Sequence, residues 1–320
     1  MNLSIVIPNY NGEDILKKNL PKVFDAISSY KDGRVEVVII DDHSTDNSIN
    51  VLENLIPKFK SSFPDIEIKL VKNEKNIGFS SNINKGVRST SGDVLIMLNT
   101  DVAPKKGFLN PLLKHFSDPN VFAVGCMDES VEDSKTTLRG RGIGKWQRGF
   151  LVHARGEVDK TNTLWVNGGS GSFRKSIWEK LGGFNELYSP FYWEDIDLSY
   201  RAVKSGYKIV FEPKSVVVHE HDKGAIKKKF STNFVKTIAY RNQFIFIWKN
   251  TTDLDLQLYY LLWFPYHFIK ALVRLDLDFF KGFLSAFILL PEIIKYKFEE
   301  QKLFLLKDKE VVLPFRQEKN

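Results

Sequence analysis

Two stretches of the 320-residue chain pass from an apolar run straight into acids or amides: "VVIIDD", ending at Asp41 and Asp42, and "VLIMLNTD", carrying Asn99 and Asp101. Such runs suit strands buried inside a sheet. Ligands of open α/β sheets bind beyond the carboxyl ends of those strands. Asp101 is then either a loop acid, with Pro104 stopping the strand, or a ligand of Mg²⁺ or Mn²⁺. These cations commonly take one or two protein carboxylates and leave the remaining positions to substrate phosphates. His219, closing "SVVVH", is placed to complete that shell, with His221 as its competitor. Asp41 continues its strand toward the cleft, where a carboxylate can accept from a base N–H or a ribose hydroxyl. Tyr10, after "VIPN", offers an aromatic face to a base or packs at the rim. Asp42 serves equally well as an acid beside the start of the following helix.

A second group lies in "YWEDIDLSYR". Glu194 and Asp195 open a helix, where unpaired N–H groups favour negative charge. A carboxylate held there at a cleft can also take the proton of an attacking hydroxyl. Asp197 and Arg201 stand at i,i+4 and read as a structural pair. Trp193 is either a platform for the apolar face of a sugar or a packing residue at the rim.

The segments around these groups alternate. "LSIVIP", "VEVVII", "IEIKLVKN" and "DVLIML" read as strands. Between them, "EDILKKNLPKVFDAIS" places Ile15, Leu16, Leu20, Val23, Phe24 and Ile27 near helical spacing. "STDNSINVLENLIPKF" is expected to be a helix with Ser44 or Thr45 as N-cap, and "GFSSNINKGVRST" a third helix. This order implies right-handed crossovers in a doubly wound sheet. "VFAVGC" reads as a strand. "LRGRGIGKWQRGF" has glycine at alternate positions and is expected to be a mobile loop with some hairpin character. A helix ended by Gly182 and Gly183, a helix from Trp193 and two strands, "KIVFEP" and "SVVVHEH", complete the pattern.

One cysteine, Cys126, leaves no disulfide framework within the chain and fits a reducing compartment. "MNLSIVIPNYNG" lacks the basic flank and long apolar run of a signal peptide, so a cytoplasmic location is expected. The net charge of +7 is uneven: residues 1–221 hold 29 basic and 28 acidic side chains, residues 222–320 hold 17 and 11. The basic segment is also rich in Phe, Leu, Tyr and Trp, which favours lipid over nucleic acid as its partner. Between 254 and 298, Lys, His, Pro or Glu interrupts the apolar stretches before they reach the ~20 residues of a spanning helix. Amphipathic helices in a membrane surface are expected there, or else a helical subdomain packed on the catalytic part or on a second copy in a homodimer.

Taken together, "SIVIPNYNG" with "VIIDDHSTDNS", "NIGFSSNINKG", "GDVLIMLNTDV", "GGSGSFRKSIWEKLGGFNE", "WEDIDLSYR" and "VVVHEH" resemble the inverting glycosyltransferases of family 2 in their order and spacing. The resemblance covers roughly residues 3–250 and implies a GT-A fold: a mixed, mainly parallel Rossmann-like sheet forming a catalytic domain over 1–250, with a helical extension over 251–320. It implies that Pro8, Tyr10 and Asp41 contact the nucleotide, and that Gly78 and Asn84 shape the donor pocket. Asn99 and Asp101 fill the outer places of the family's Asp-x-Asp motif; an asparagine in the first place occurs in rhamnosyltransferase-like members. Asp101 and His219 would hold a divalent cation, Mn²⁺ or Mg²⁺. Asp195 would be the base, with Glu194, Trp193, Gly168 and Gly169 on the acceptor side. The implied donor is a UDP- or dTDP-sugar and the implied acceptor a glycan or lipid-linked hydroxyl. Two rivals stand beside this expectation. A nucleotidyltransferase would want a glycine-rich basic loop after the first strand, where "PNYNGED" is found. The other is an inactive homologue that binds nucleotide sugars or membranes.

Overall fold

The computed structural model describes residues 1–132, 135–220 and 230–318. Four strands, β1 (Leu3–Asn9), β2 (Val35–Asp41), β3 (Ile66–Lys72) and β4 (Val94–Met97), alternate with helices α1 (Glu13–Ile27), α2 (Ser48–Ser62) and α3 (Phe79–Arg88). There follow β5 (Val102–Pro104), α4 (Leu109–Lys114), β6 (Val121–Glu132), β7 (Lys135–Arg139), β8 (Gly142–Gln147), β9 (Phe150–Arg155), β10 (Gly171–Arg174), α5 (Lys175–Leu181), α6 (Glu194–Lys204) and β11 (Lys208–Glu220). The C-terminal helices are α7 (Thr232–Asn250), α8 (Leu254–Val273), α9 (Leu277–Ile288), α10 (Leu290–Glu300) and α11 (Asp308–Val312).

The main sheet runs β3-β2-β1-β4-β10-β6-β11-β5, with β7 added to β6. Strands β3, β2, β1 and β4 are parallel, as the short crossover helices require. β10 then inserts antiparallel between β4 and β6, and β5 is antiparallel to β11 at the edge. Alternation along each strand feeds two cores. Ile5 and Ile7 of β1 meet Leu16, Leu20 and Phe24 of α1 on one face. Val6 joins Ile83 and Val87 of α3 and Leu198 of α6 on the other.

Three local expectations are corrected. Helix α2 begins at Ser48 after Asn47, and Ser44 and Thr45 stay in the loop, where Ser44 Oγ donates to Asp41 Oδ1 at 2.6 Å. The hairpin character expected of the glycine-rich stretch is borne out, but as two regular strands in place of a loop, β8 pairing antiparallel with β9 from Gly142↔Arg155 to Gln147↔Phe150. Glycine is required there by close approach: a Cβ on Gly142 would lie 2.2 Å from the Trp165 ring, and one on Gly144 2.4 Å from Leu164. The two last strands are one, β11, with a register shift between Glu212 and Val216 that accommodates Pro213.

A third core crosses residue 250. It joins Ile143, Leu164, Tyr188, Ile196 and Tyr200 to Phe244, Tyr260, Phe279, Ile293 and Phe315. Beneath it, Lys204 Nζ pairs with Asp308, both fully buried, and also donates to the Asn250 carbonyl and Thr252 Oγ1. Asp308 in turn accepts from the N–H groups of Thr252 and Asp253 and from the Tyr200 hydroxyl. The C-terminal helices are thus built into the body of the molecule.

Candidate active site

The carboxyl ends of β1, β2 and β4 bring their polar residues to one rim. Asn9 and Asp41 are register partners, and Asn9 Nδ2 donates to Asp41 Oδ1 at 2.7 Å. The other Asp41 oxygen accepts the Ser44 N–H at 2.9 Å, so this carboxylate also shapes its own loop. Asp42 does not cap α2; its oxygens accept from Asn73 Nδ2 and from the N–H groups of Ile77 and Gly78, fixing the entry to α3. Gly78 takes φ +83°, a conformation that favours glycine. Pro8 is buried within β1, and Tyr10 is half-buried just beyond it.

Asp101 lies between β4 and β5. Because His219 of β11 is in register with Val102 of β5, the imidazole arrives beside that acid. His219 Nε2 is 3.4 Å from Asp101 Oδ1, and Nδ1 is 2.9 Å from Asp128 Oδ2 on β6. Asp128 is itself held by Ser130 Oγ at 2.9 Å. Burial opposes charge on His219, but hydrogen bonds and attraction from Asp101 and Asp128 prevail and raise its pKa to about 9. A histidine that ligates a metal characteristically has its other ring nitrogen held by a carboxylate, as Asp128 holds this one. Asn99 Oδ1 is buried and without a hydrogen-bond partner, and Asp101 Oδ1, also buried, has only the long 3.4 Å contact with His219 Nε2. Buried polar atoms left in this state call for a ligand. Among the described residues no group of three or more His, Cys, Asp or Glu is arranged to hold a metal. One carboxylate and one imidazole therefore fit a cation that takes its other ligands from a diphosphate and water. His221 lies outside the described residues.

The acids of α6 reach the same rim through Gly168 and Gly169. The Gly168 N–H donates to Asp195 Oδ2 at 3.4 Å, and the Gly169 carbonyl accepts the Asn99 N–H at 2.8 Å. Asn167 Oδ1 secures the turn by accepting the Gly169 N–H at 2.7 Å. Asp195 is half-buried, and burial raises its pKa to about 6. Glu194 is raised further, to about 8, by burial and then by Asp195, and its Oε2 has no hydrogen-bond partner. One ionised acid beside one protonated acid is the arrangement expected of a general base at neutral pH.

Trp193 is 6% exposed, its ring against His153 and Phe246, so packing rather than a sugar platform is its place. Tyr192, next to it and 42% exposed, is the aromatic that reaches solvent. Asn84 is also turned to structure: its amide donates to the Phe184 carbonyl and accepts the Phe184 N–H. It borders a separate cavity of about 500 Å³ between α3, residues 182–186 and α10, which none of the other candidates lines. Asp197 and Arg201 form the expected pair at 2.8 Å, fully buried. Burial opposes the Asp197 charge, but Lys249 and Arg201 bring its pKa down to about 2.

Three contributors had no signal of their own in the sequence. Asp128 orients His219 from 91 residues away. Asn242 on α7 is fully buried, and its Nδ2 lies 3.1, 2.9 and 2.8 Å from the carbonyls of Tyr188, Phe191 and Tyr192. Arg241 donates to the Ser189 carbonyl. Together these two clamp the segment that leads into Glu194 and Asp195.

Residues 4–182 match the family model described as glycosyl transferase family 2, more than half of the chain. The chain belongs to glycosyl transferase family 2. Within it, the chain is 24% identical over 225 residues to the O-antigen chain rhamnosyltransferase RfbN of Salmonella typhimurium, covering 69% of this chain and 67% of the relative. It is 26% identical over 163 residues to the pre-mycofactocin glycosyltransferase of Mycobacterium tuberculosis, a match covering 48% of this chain and only 33% of that longer protein. Among solved structures, GalNAc-T7 with UDP, GalNAc and Mn²⁺ aligns with TM-score 0.61 at 18% identity over 79% of this chain and 48% of its own. The S. aureus TarS 1–349 complex with UDP-GlcNAc aligns with TM-score 0.58 at 15% identity over 99% of this chain and 92% of that one. The fold of this family 2 member is thus the mixed α/β GT-A architecture with C-terminal helices, as expected.

Proposed function

We propose that this family 2 enzyme transfers a sugar, with inversion, from a nucleotide-diphospho-sugar to a hydroxyl of a glycan or lipid-linked acceptor in cell-surface polysaccharide synthesis. The single observation that carries the reading is the two-glycine step that ties Asn99 to Asp195, with Asp101 and His219 beside Asn99. In this reading Asp195 takes the proton of the acceptor hydroxyl as that oxygen attacks the anomeric carbon from the face opposite the leaving group. One displacement inverts that centre, and no side chain need become attached to the sugar. Asp101 and His219 would hold Mn²⁺ or Mg²⁺, which offsets charge on the departing diphosphate when bound. Asn99 Oδ1 is available to accept from a ribose hydroxyl or a metal-bound water. Asp41, Tyr10, Pro8 and Gly78 form the nucleotide side, and Gly168, Gly169 and Glu194 the acceptor side.

Support for the substrate class comes from relatives: an O-antigen rhamnosyltransferase, and structures holding UDP with Mn²⁺ or UDP-GlcNAc. A deoxyhexose or hexose on UDP or dTDP is the donor to test first. We place the enzyme in the cytoplasm, at the inner face of the membrane. The purified chain, incubated with Mn²⁺ and a panel of nucleotide sugars, should release nucleoside diphosphate or form product detectable by mass, and Asp195→Asn should abolish it. Nucleotide binding without turnover in both proteins would establish an inactive homologue instead.

A further inference from the structure

We propose that the outer face of α8 and α9 docks on an anionic lipid bilayer, lying in its interface without crossing it. The inference rests on the membrane placement proposed above, but not on any donor or acceptor.

The inner sides of these helices are buried, Tyr260 and Ala271 of α8 and Phe279 and Ala286 of α9 in the third core, with Leu256 and Gly282 buried beside them. Their outer sides stay apolar. Leu258, Leu262, Ile269 and Val273 recur along α8 at helical spacing and are exposed, and Leu284 and Ile288 continue the pattern on α9. The turn between the helices is more telling. A water-facing turn is built from Gly, Asn, Asp or Ser. Here Val273 (78% exposed), Leu275 (80%) and Leu277 (65%) project with Arg274 among them. Contiguous exposed apolar surface of this kind marks an interaction site.

Charge selects the occupant. Among the exposed charged side chains of α8, α9 and the turn between them, Lys270, Arg274 and Lys281 are cations, and the one exposed acid, Asp255 at the start of α8, pairs with Lys309. Asp276 and Asp278 of the same stretch are turned inward, to Lys236 with Tyr240 and to Thr237. Two copies meeting on this face about a two-fold axis would bring Lys270, Arg274 and Lys281 against their own like charges. Anionic headgroups complement it. Tyr259, Trp263 and Tyr266 add the amphipathic rings found at headgroup level, and Arg148 lies over two of them, Trp263 and Tyr266. No helix among the described residues is long and apolar enough to span a bilayer. An interfacial site follows.

The test is co-sedimentation of the full chain with vesicles of phosphatidylcholine alone or mixed with phosphatidylglycerol. Expected is binding to the anionic vesicles that weakens with salt. The triple change Lys270→Gln, Arg274→Gln, Lys281→Gln should reduce it by about fivefold per cation removed. Leu262→Glu with Leu275→Glu should abolish it while thermal unfolding stays unchanged. Wild-type protein left in the supernatant with both vesicle types overturns the proposal, as does a light-scattering mass showing a dimer that the two glutamates dissociate. Donor turnover without vesicles is read separately: loss of turnover with retained binding sinks the enzymatic reading alone.

Discussion

Asn99 and Asp195, 96 positions apart in the chain, are tied to consecutive residues: Asp195 accepts from the Gly168 N–H and Asn99 donates to the Gly169 carbonyl. The spacing between the proposed metal side and the proposed base side of the cleft is therefore set by the two residues Gly168 and Gly169. A Cβ on Gly169 would lie 2.4 Å from Asn99 Nδ2. Gly169→Ala should cut turnover at least tenfold while costing about 1–3 kcal/mol of stability, measured by nucleotide release and thermal unfolding.

Asp195→Asn keeps the side-chain shape and removes the proposed base. Turnover should fall by about a hundred- to ten-thousandfold, with nucleotide-sugar affinity by calorimetry within a few-fold of wild type.

The acids also set the pH response. With Asp195 raised to about 6, transfer should rise with pH through about 6 and level off above it. Glu194 is raised from 4.5 to about 8, so the folded chain holds its proton longer than the unfolded one. Stability contributed by that proton is full below about 4.5 and declines as pH rises toward 8. Glu194→Gln should flatten this decline and leave the variant the more stable protein at pH 9, seen as a higher melting temperature there.

Asp128 acts on His219 from behind. Asp128→Asn should weaken Mn²⁺ binding by about 10- to 100-fold, read by calorimetry in the presence of nucleoside diphosphate, with little change in melting temperature.

The Asn242 clamp predicts a different split. Asn242→Ala leaves buried carbonyls in the 188–192 segment without donors, at about 1–3 kcal/mol. Turnover should fall while donor affinity holds, because in the proposed assignment the loop leads to the base and not to the nucleotide side.

Much of this was legible beforehand, for physical reasons. Strands β1, β2 and β4 are buried along their whole length and read as largely apolar runs, whereas the edge strand β3 alternates with charged residues; the polar ends of the buried strands announce the rim. The β8–β9 hairpin was legible only as hairpin character within a loop, because Gly142 and Gly144 answer to Trp165 and Leu164, not to strand propensity. Trp193 looked available beside the acids, but the third core, assembled from the C-terminal helices, claims its ring through Phe246. Asp128 and Asn242 act across 91 and about 50 residues of chain, a separation over which one sequence carries no pairing signal.

The buried Lys204–Asp308 lock has a geometric corollary. Helices anchored this way are a stiff mount, unlike a flexible tether whose reach grows with its length. Once α8 and α9 settle on a surface, the cleft keeps one height and one heading above it. If Asp195 is the base as proposed, only hydroxyls presented at that elevation come within its range, and acceptor choice becomes partly a matter of how far each sugar stands from its support.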